Sequence, residues 1–374
     1  MKEINIAKTL VTKRKEKGIT QDELAAYIGV SKASVSKWET AQSYPDITFL
    51  PQLAAYFNIS IDDLIGYAPQ MTKEDIKKLY HRLSKDFATR PFDDVLEECR
   101  KIIKKYYSCF PLLLQMAVLL ANHHMLAEER KRQEAILNEA AELCIRIKTE
   151  SDDVWLSKDA TSFEAVCYLM LNQPQQVLDL LGESIRPIPT DHEIMARAYQ
   201  ILGNGSKAKE VTQISMYQHL LALIGATPAY LLLNADNSEK IEEILHRSLS
   251  VAAIYNLERL HPNTMAQTYF TAAHVYSLQG NAEKALDMLR KYADICTKGF
   301  FPYSLHGDSF FDAIDGWFAD FDLGADAPRN EKVIKESMLQ AVLSNPAFAA
   351  LAEEPRYKSI IETLTTNSGR NTRE

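Results

Sequence analysis

The sequence predicts an all-α protein with a small helical head, residues 1–66, and a long helical body behind it, residues 73–365. Three observations carry this. Apolar residues recur at three- and four-residue spacing along nearly the whole chain, and alternating strand-like runs are scarce. Helix start and stop signals punctuate the first 66 residues. In the body an aromatic residue, a turn residue four later and a small or apolar residue nine later recur three times. Residues 67–72, with Pro69, read as a linker, and 366–374 as a frayed polar tail.

Five helices fit the head. The first spans about 4–17 and stops at Gly18. The second opens with a capping box, in which Thr20 accepts from the Glu23 amide and Glu23 reaches back, and it ends at Gly29. The third starts at Ser31 and ends near Thr40. The fourth follows Asp46 and begins at Thr48 or Phe49, because Pro51 is tolerated only in a first turn. The fifth is short and capped by Ser60 with Asp63 three residues on.

At 374 residues two or more domains are expected. The 46% hydrophobic and 25% charged residues are those of an ordinary globular protein. A net charge of −8 excludes a protein that coats nucleic acid wholesale. The charge is uneven, however: residues 1–45 carry eight Lys or Arg and five acids, a net of +3, against −11 for the rest. Only the head is suited to a polyanion. Five cysteines (Cys99, Cys109, Cys144, Cys167 and Cys296) form no C-x-x-C and lie in apolar helical patterns, which predicts buried thiols in a reducing compartment. The N-terminus has no long apolar signal core. The apolar runs 110–121, broken by Gln115, and 220–233, broken by Gly225 and Pro228, read as too short or too interrupted for a bilayer. A cytoplasmic protein with no membrane partner is expected.

Leu24, Ala25 and Ile28 form the apolar face of the second helix, and Val35 and Trp38 that of the third. Gly29-Val30 makes the corner, where Gly29 permits a left-handed turn. This is a helix-turn-helix. Its third helix turns Lys32, Ala33, Ser36 and Lys37 away from the core. Such a helix enters a major groove ~12 Å wide, where lysine donates to guanine or phosphate, serine donates or accepts, and alanine touches a thymine methyl. The residues Thr20-Gln21-x-Glu23-Leu24-Ala25, Gly29-Val30-Ser31, Val35-Ser36-Lys37-Trp38-Glu39, Leu53-Ala54 and Ser60-Ile61-Asp62-Asp63-Leu64 resemble the Cro/repressor-type (XRE) helix-turn-helix family over residues 4–66. The resemblance implies binding to double-stranded DNA, as a homodimer on a two-fold site. It implies that Gln21 meets a backbone phosphate, that Ser31, Lys32, Ala33, Ser36 and Lys37 face bases or flanking phosphates, and that Gln42, Ser43 and Tyr44 lean on the backbone. Arg14 and Glu39 match an internal ion pair of that family. The family's usual Gly after Glu39 is replaced here by Thr40-Ala41, so the following loop is expected to turn differently.

The repeated signals in the body are Tyr168–Asn172–Val177–Leu181, Tyr199–Gly203–Ala208 and Tyr276–Gly280–Ala285–Leu289. The third, with Tyr269 and Ala273 before it, is the clearest. Together they resemble tetratricopeptide repeats, which implies a TPR-like α-solenoid as sensor and dimerisation domain. A DNA-binding head on such a stack resembles, in architecture, the RRNPP peptide-pheromone receptors of quorum sensing. That resemblance implies a short signalling peptide as ligand. Asparagines that hold a peptide in those receptors have counterparts of similar placement in Asn122, Asn172, Asn204 and Asn234, although helix-end turns are the plainer role for them. The competing reading is a DNA-tethered scaffold or antitoxin-like repressor whose body binds a protein. Phe310, Phe311, Ile314, Trp317, Phe318 and Phe321 form an aromatic stripe at helical spacing, expected to be a packing helix that caps the stack, with Asp308 as its N-cap and Asp312 and Asp315 solvated.

Enzyme chemistry finds no support. His123-His124 with Glu128 lacks a zinc spacing, and Asp308, Asp312 and Asp315 lack the EF-hand spacing. No Gly-rich phosphate loop, nucleophile elbow or H-E-x-x-H is present. No catalytic residue, metal site or cofactor is predicted.

Overall fold

The structure, a computed structural model, describes residues 6–67, 70–182, 184, 185 and 187–369. The start of the first helix, Pro69 of the linker and the last residues of the polar tail lie outside the described residues. The protein is all-α. Among the described residues no strand forms, and Ser304 and Asp326 make one isolated antiparallel bridge.

In the head, α1 (Ile6–Glu16), α2 (Gln21–Ile28), α3 (Lys32–Glu39), α4 (Leu50–Phe57) and α5 (Ile61–Ile65) enclose a core of Leu10, Leu24, Val35, Leu53 and Leu64, all fully buried. Local signals set their limits. Thr20 and Glu23 close the capping box of α2, Ser60 and Asp63 that of α5, and Gly29 and Gly66 end those helices at positive φ. Asp46 caps a short 3-10 turn, Ile47–Phe49, which runs into α4 with Pro51 in its first turn. The 3-10 turn places the start of α4 slightly later than its proline signal predicts.

The body holds two cores rather than one. The first is built by α6 (Lys73–Thr89), α7 (Phe92–Lys105), α8 (Phe110–His123), α9 (Arg130–Glu150) and α10 (Val154–Met170). Next come α11 (Pro174–Leu181) and α12 (Asp191–Ile201), which bury almost nothing: α11 has no buried residue and α12 only Ala196. The second core takes in α13 (Gly205–Gly225), α14 (Thr227–Leu233), α15 (Ser238–Ile254), α16 (Leu257–Leu260), α17 (Pro262–Leu278), α18 (Ala282–Lys298), α19 (Asp315–Ala319), α20 (Glu331–Leu343) and α21 (Pro355–Ser368). Helix α21 runs past Thr365, where fraying is expected, because Asn367 donates to the Cys296 carbonyl and Ser368 is buried.

The three repeated signals each form a helical hairpin, α10–α11, α12–α13 and α17–α18, with Asn172, Gly203 and Gly280 at positive φ in the turns. Only the last packs tightly: Tyr269, Ala273, Tyr276, Ala285 and Leu289 are all buried. The other two leave Leu178, Leu181, Ile194, Ile201 and Leu202 largely exposed. The segment Gly205–Leu233 is also less interrupted than its glycine and proline suggest. By length and composition it is apolar enough to cross a membrane, with a mean hydropathy of 1.3 and 28% of its apolar window buried. Within the fold it places Tyr217, Leu220, Ile224 and Leu231 in the second core.

The aromatic stripe does not form the capping helix that its spacing predicts. Only α19 is helical there, and the rest is turn. Asp308 accepts from the amides of Phe310 and Phe311, Asp315 accepts from Gly307, and Asp312 is held by Lys209 and Gln213. Asp308 thus caps a turn as expected, and Asp312 and Asp315 stay exposed to solvent while also tying the segment down. The tied loop drives Phe311, Ile314 and Phe318 into the second core beside Tyr217, while Phe310 stays half-exposed. All five cysteines are buried, and burial pushes the Cys99, Cys167 and Cys296 thiols up to about 12, which leaves them unreactive.

Candidate DNA-binding face

One polar network holds α1, α2 and α3 together. Arg14 reaches Glu39 through two nitrogens, Nε to Oε1 at 2.5 Å and Nη2 to Oε2 at 3.0 Å, and donates to the Ile19 carbonyl. Gln21 Nε2 donates to Glu39 Oε2 at 2.8 Å. The Glu39 side chain is only 4% exposed. Burial alone would push its carboxyl up, but the hydrogen bonds from Arg14 and Gln21 outweigh that and hold it below the usual carboxylate value. Arg14 and Glu39 are therefore internal, as the family resemblance implies. Gln21 spends one amide proton on this network and keeps the other for an outside acceptor such as phosphate.

Helix α3 is anchored by Val35 and Trp38, both buried. Its opposite side carries Lys32, Ala33 and Lys37, all exposed, and the half-buried Ser36. The two lysines differ. Lys32 is paired with Asp22 at 2.6 Å, both ends exposed, a contact that solvent and salt weaken readily. Lys37 has no acidic partner among the described residues. Ser31 is the N-cap, accepting from the Ser34 amide at 3.1 Å, and its hydroxyl lies 2.9 Å from that of Ser34. Of the other basic residues in α1 and after it, Lys13 is paired with Glu16 and Lys17 lies over the Tyr56 ring. Sequence reasoning passed over Tyr27 and Ile47, which are 61% and 76% exposed.

The loop after α3 turns at Ala41, which has φ 58°. The amides of Gln42 and Ser43 then fold back onto the Lys37 carbonyl, at 2.9 and 3.3 Å, leaving Gln42 and Tyr44 exposed and Ser43 half-buried. An alanine in the left-handed region costs about 1 kcal/mol, of which glycine's greater freedom in the unfolded chain offsets part. Ala41→Gly therefore stabilises the head by about 0.5 kcal/mol. Slower hydrogen exchange of head peptides in the intact chain checks this, and unchanged or faster exchange contradicts it.

The asparagines weighed as peptide-holding groups have local roles. Asn122 donates to the Tyr80 hydroxyl, Asn172 makes a turn, Asn204 caps α13 and Asn234 donates back to the Tyr230 carbonyl.

A capped pair of helices with a glycine corner, an anchored second member and an exposed lysine–serine side defines a helix-turn-helix domain of the Cro/repressor (XRE) type. Comparison with known proteins agrees. The family model described as Helix-turn-helix matches residues 10–64. The HTH-type transcriptional activator BcrR of Enterococcus faecalis is 31% identical over 74 residues, 18% of this chain and 36% of BcrR. The uncharacterized HTH-type transcriptional regulator YobD of Bacillus subtilis (strain 168) is 27% identical over 100 residues, 24% of this chain and 86% of YobD. The chain thus spans about a third of the length of BcrR. No solved structure matches the chain.

Proposed function

We propose that the chain is a sequence-specific DNA-binding transcription regulator acting in the cytoplasm. Helix α3 enters the major groove, and the body joins two copies and senses a ligand, a short signalling peptide being the class that the TPR-like and RRNPP resemblance implies. The observation that carries the DNA reading is Lys37: it is exposed, has no acidic partner among the described residues, and is aligned with Ala33 and Ser36 on a helix whose other side is locked into the core. Gln42, Ser43 and Tyr44 follow as the backbone-facing loop. One short helix offers few base contacts, so two copies on a two-fold site supply the rest. Pairing is supported by large apolar side chains that the body leaves uncovered: Ile201, Leu202, Leu233 and Ile254 are 78–80% exposed.

Selecting bound duplexes from a random pool with the full-length chain, then footprinting, tests the reading. Lys37→Ala weakens operator binding roughly tenfold or more, while Gln21→Ala weakens operator and unrelated duplex alike. Two chains bind per operator. Failure of any sequence to enrich, or operator protection indifferent to Lys37, removes the proposal. A scaffold or antitoxin-like body gives the same operator binding but no response to culture supernatant.

A further inference from the structure

Arg329 is the feature of the body that neither fold nor head explains. It lies half-buried at the start of α20, on the wall of a cavity of about 310 Å³ between α14, α17 and α20. Among the described residues it has no acidic partner. Its one hydrogen bond is a long contact of 3.4 Å to the Ser337 hydroxyl. Burial pushes the guanidinium down, and the nearby Tyr80 hydroxyl, rather than a carboxylate, offsets part of that. A cation drawn this far out of water is normally paired, so this one stands where a partner is missing.

The cavity around it is chemically two-sided. On α17, Asn263, Gln267 and Thr271 recur every four residues and line the cavity, and the side chain of none bonds to another described group. On α20, Ile334 and Met338 form an apolar wall opposite. An arginine fork, a stripe of amides and hydroxyl, and an apolar wall together match a carboxylate on a short apolar body that carries an amide-like polar group.

The same arginine ends a strap that crosses to the first core. Leu323 packs against that core. Asp322 pairs with Lys73 of α6 at 3.2 Å and accepts from Gln115 of α8. The Leu323 carbonyl meets His81 and the Pro328 carbonyl accepts from Ser84, both on α6. Helix α6 is the first described helix after the head. We infer that the Arg329 cavity binds a carboxylate-bearing ligand, either the C-terminal residue of a peptide or a free small acid, and passes its presence to α6 through the 320–329 strap. This deepens the ligand-sensing part of the proposed function and rests on it.

The test uses the full-length chain and three probes: a pool of acetylated tripeptides ending in apolar residues, the same pool as C-terminal amides, and 3-phenylpropionate. The acid pool binds at least tenfold more tightly than the amide pool, read by calorimetry and by thermal shift. Arg329→Met abolishes that difference and itself melts no lower than wild type, since it removes an unpaired, half-buried charge. Hydrogen exchange in α6 slows with the acid pool only. Binding by 3-phenylpropionate equal to that of the pool assigns the site to a free acid, and weaker binding assigns it to a peptide end. Equal binding of acids and amides, no binding by either acid, or acid binding that survives Arg329→Met overturns the inference. Operator binding by Arg329→Met, measured separately, stays at the wild-type level, so loss of the DNA reading and loss of this site are told apart.

Discussion

Replacing Arg14 by alanine unfolds or nearly unfolds the head. The change strands the Glu39 carboxylate, 4% exposed, with Gln21 as its only remaining donor, and it also removes the bond to the Ile19 carbonyl. Breaking one side of a buried ion pair costs about 3–5 kcal/mol, a large share of what so small a core provides. The pH dependence identifies the cause. In the wild type the Glu39 pKa is depressed, so its stabilisation is present at neutral pH and is lost as pH falls through the folded value. In Arg14→Ala the stranded carboxyl is raised instead, so the deficit narrows as the pH falls from 7 towards 5. Removing both partners, as Arg14→Met with Glu39→Leu, recovers most of the stability because no charge is left buried. Hydrogen exchange of residues 10–64 in the intact chain measures all three. Protection in Arg14→Ala equal to wild type, or a double variant no better than the single, sinks the account. Because Gln21 hangs on the same carboxylate, the single variant also loses operator binding.

The second large effect lies in the body. His123 is 1% exposed and stacked on Phe87, with ring centroids 4.5 Å apart. Its Nδ1 faces the Leu119 carbonyl at 2.8 Å and must therefore carry the proton, which leaves Nε2 a buried acceptor with no partner among the described residues. Burial first, and the nearby charge of Arg329, lower its pKa from 6.5 to about 4. The unfolded chain takes up a proton that the folded chain refuses, so stability falls as pH drops from about 6.5 to about 4 and levels off below. The loss across that window is about 3 kcal/mol. Carboxylates with depressed values, Glu39 among them, act lower in pH. His123→Phe keeps an aromatic ring against Phe87 and removes the titration, so denaturant unfolding at pH 7 and pH 5 shows the variant gaining about 2 kcal/mol on wild type between them. Parallel pH profiles for variant and wild type contradict this.

How much of the molecule was legible from residues alone follows the range of the interactions. The capping boxes at Thr20–Glu23 and Ser60–Asp63, the glycine corner at Gly29 and the hairpin turns at Asn172, Gly203 and Gly280 each involve groups within a few residues of one another. A backbone and a side chain that close determine each other before any tertiary contact forms, so the head and the helical class could be read directly. The aromatic stripe at 310–321 misled for the complementary reason. Its spacing satisfies a helix, yet Asp308 and Asp315 hold local amides and Asp312 meets Gln213 about a hundred residues away.

By itself, then, the order of residues determined an all-α chain, a helix-turn-helix head and the outward side of α3. Only the tertiary structure decided that Lys32 is spent on Asp22 while Lys37 is left open, that the body has two cores joined by a thin middle, and that a strap some 245 residues from α6 in sequence carries Arg329 to a cavity edge. The physical reason is that helix formation is local, whereas partners for charges and covers for apolar faces come from whichever distant element packs beside them.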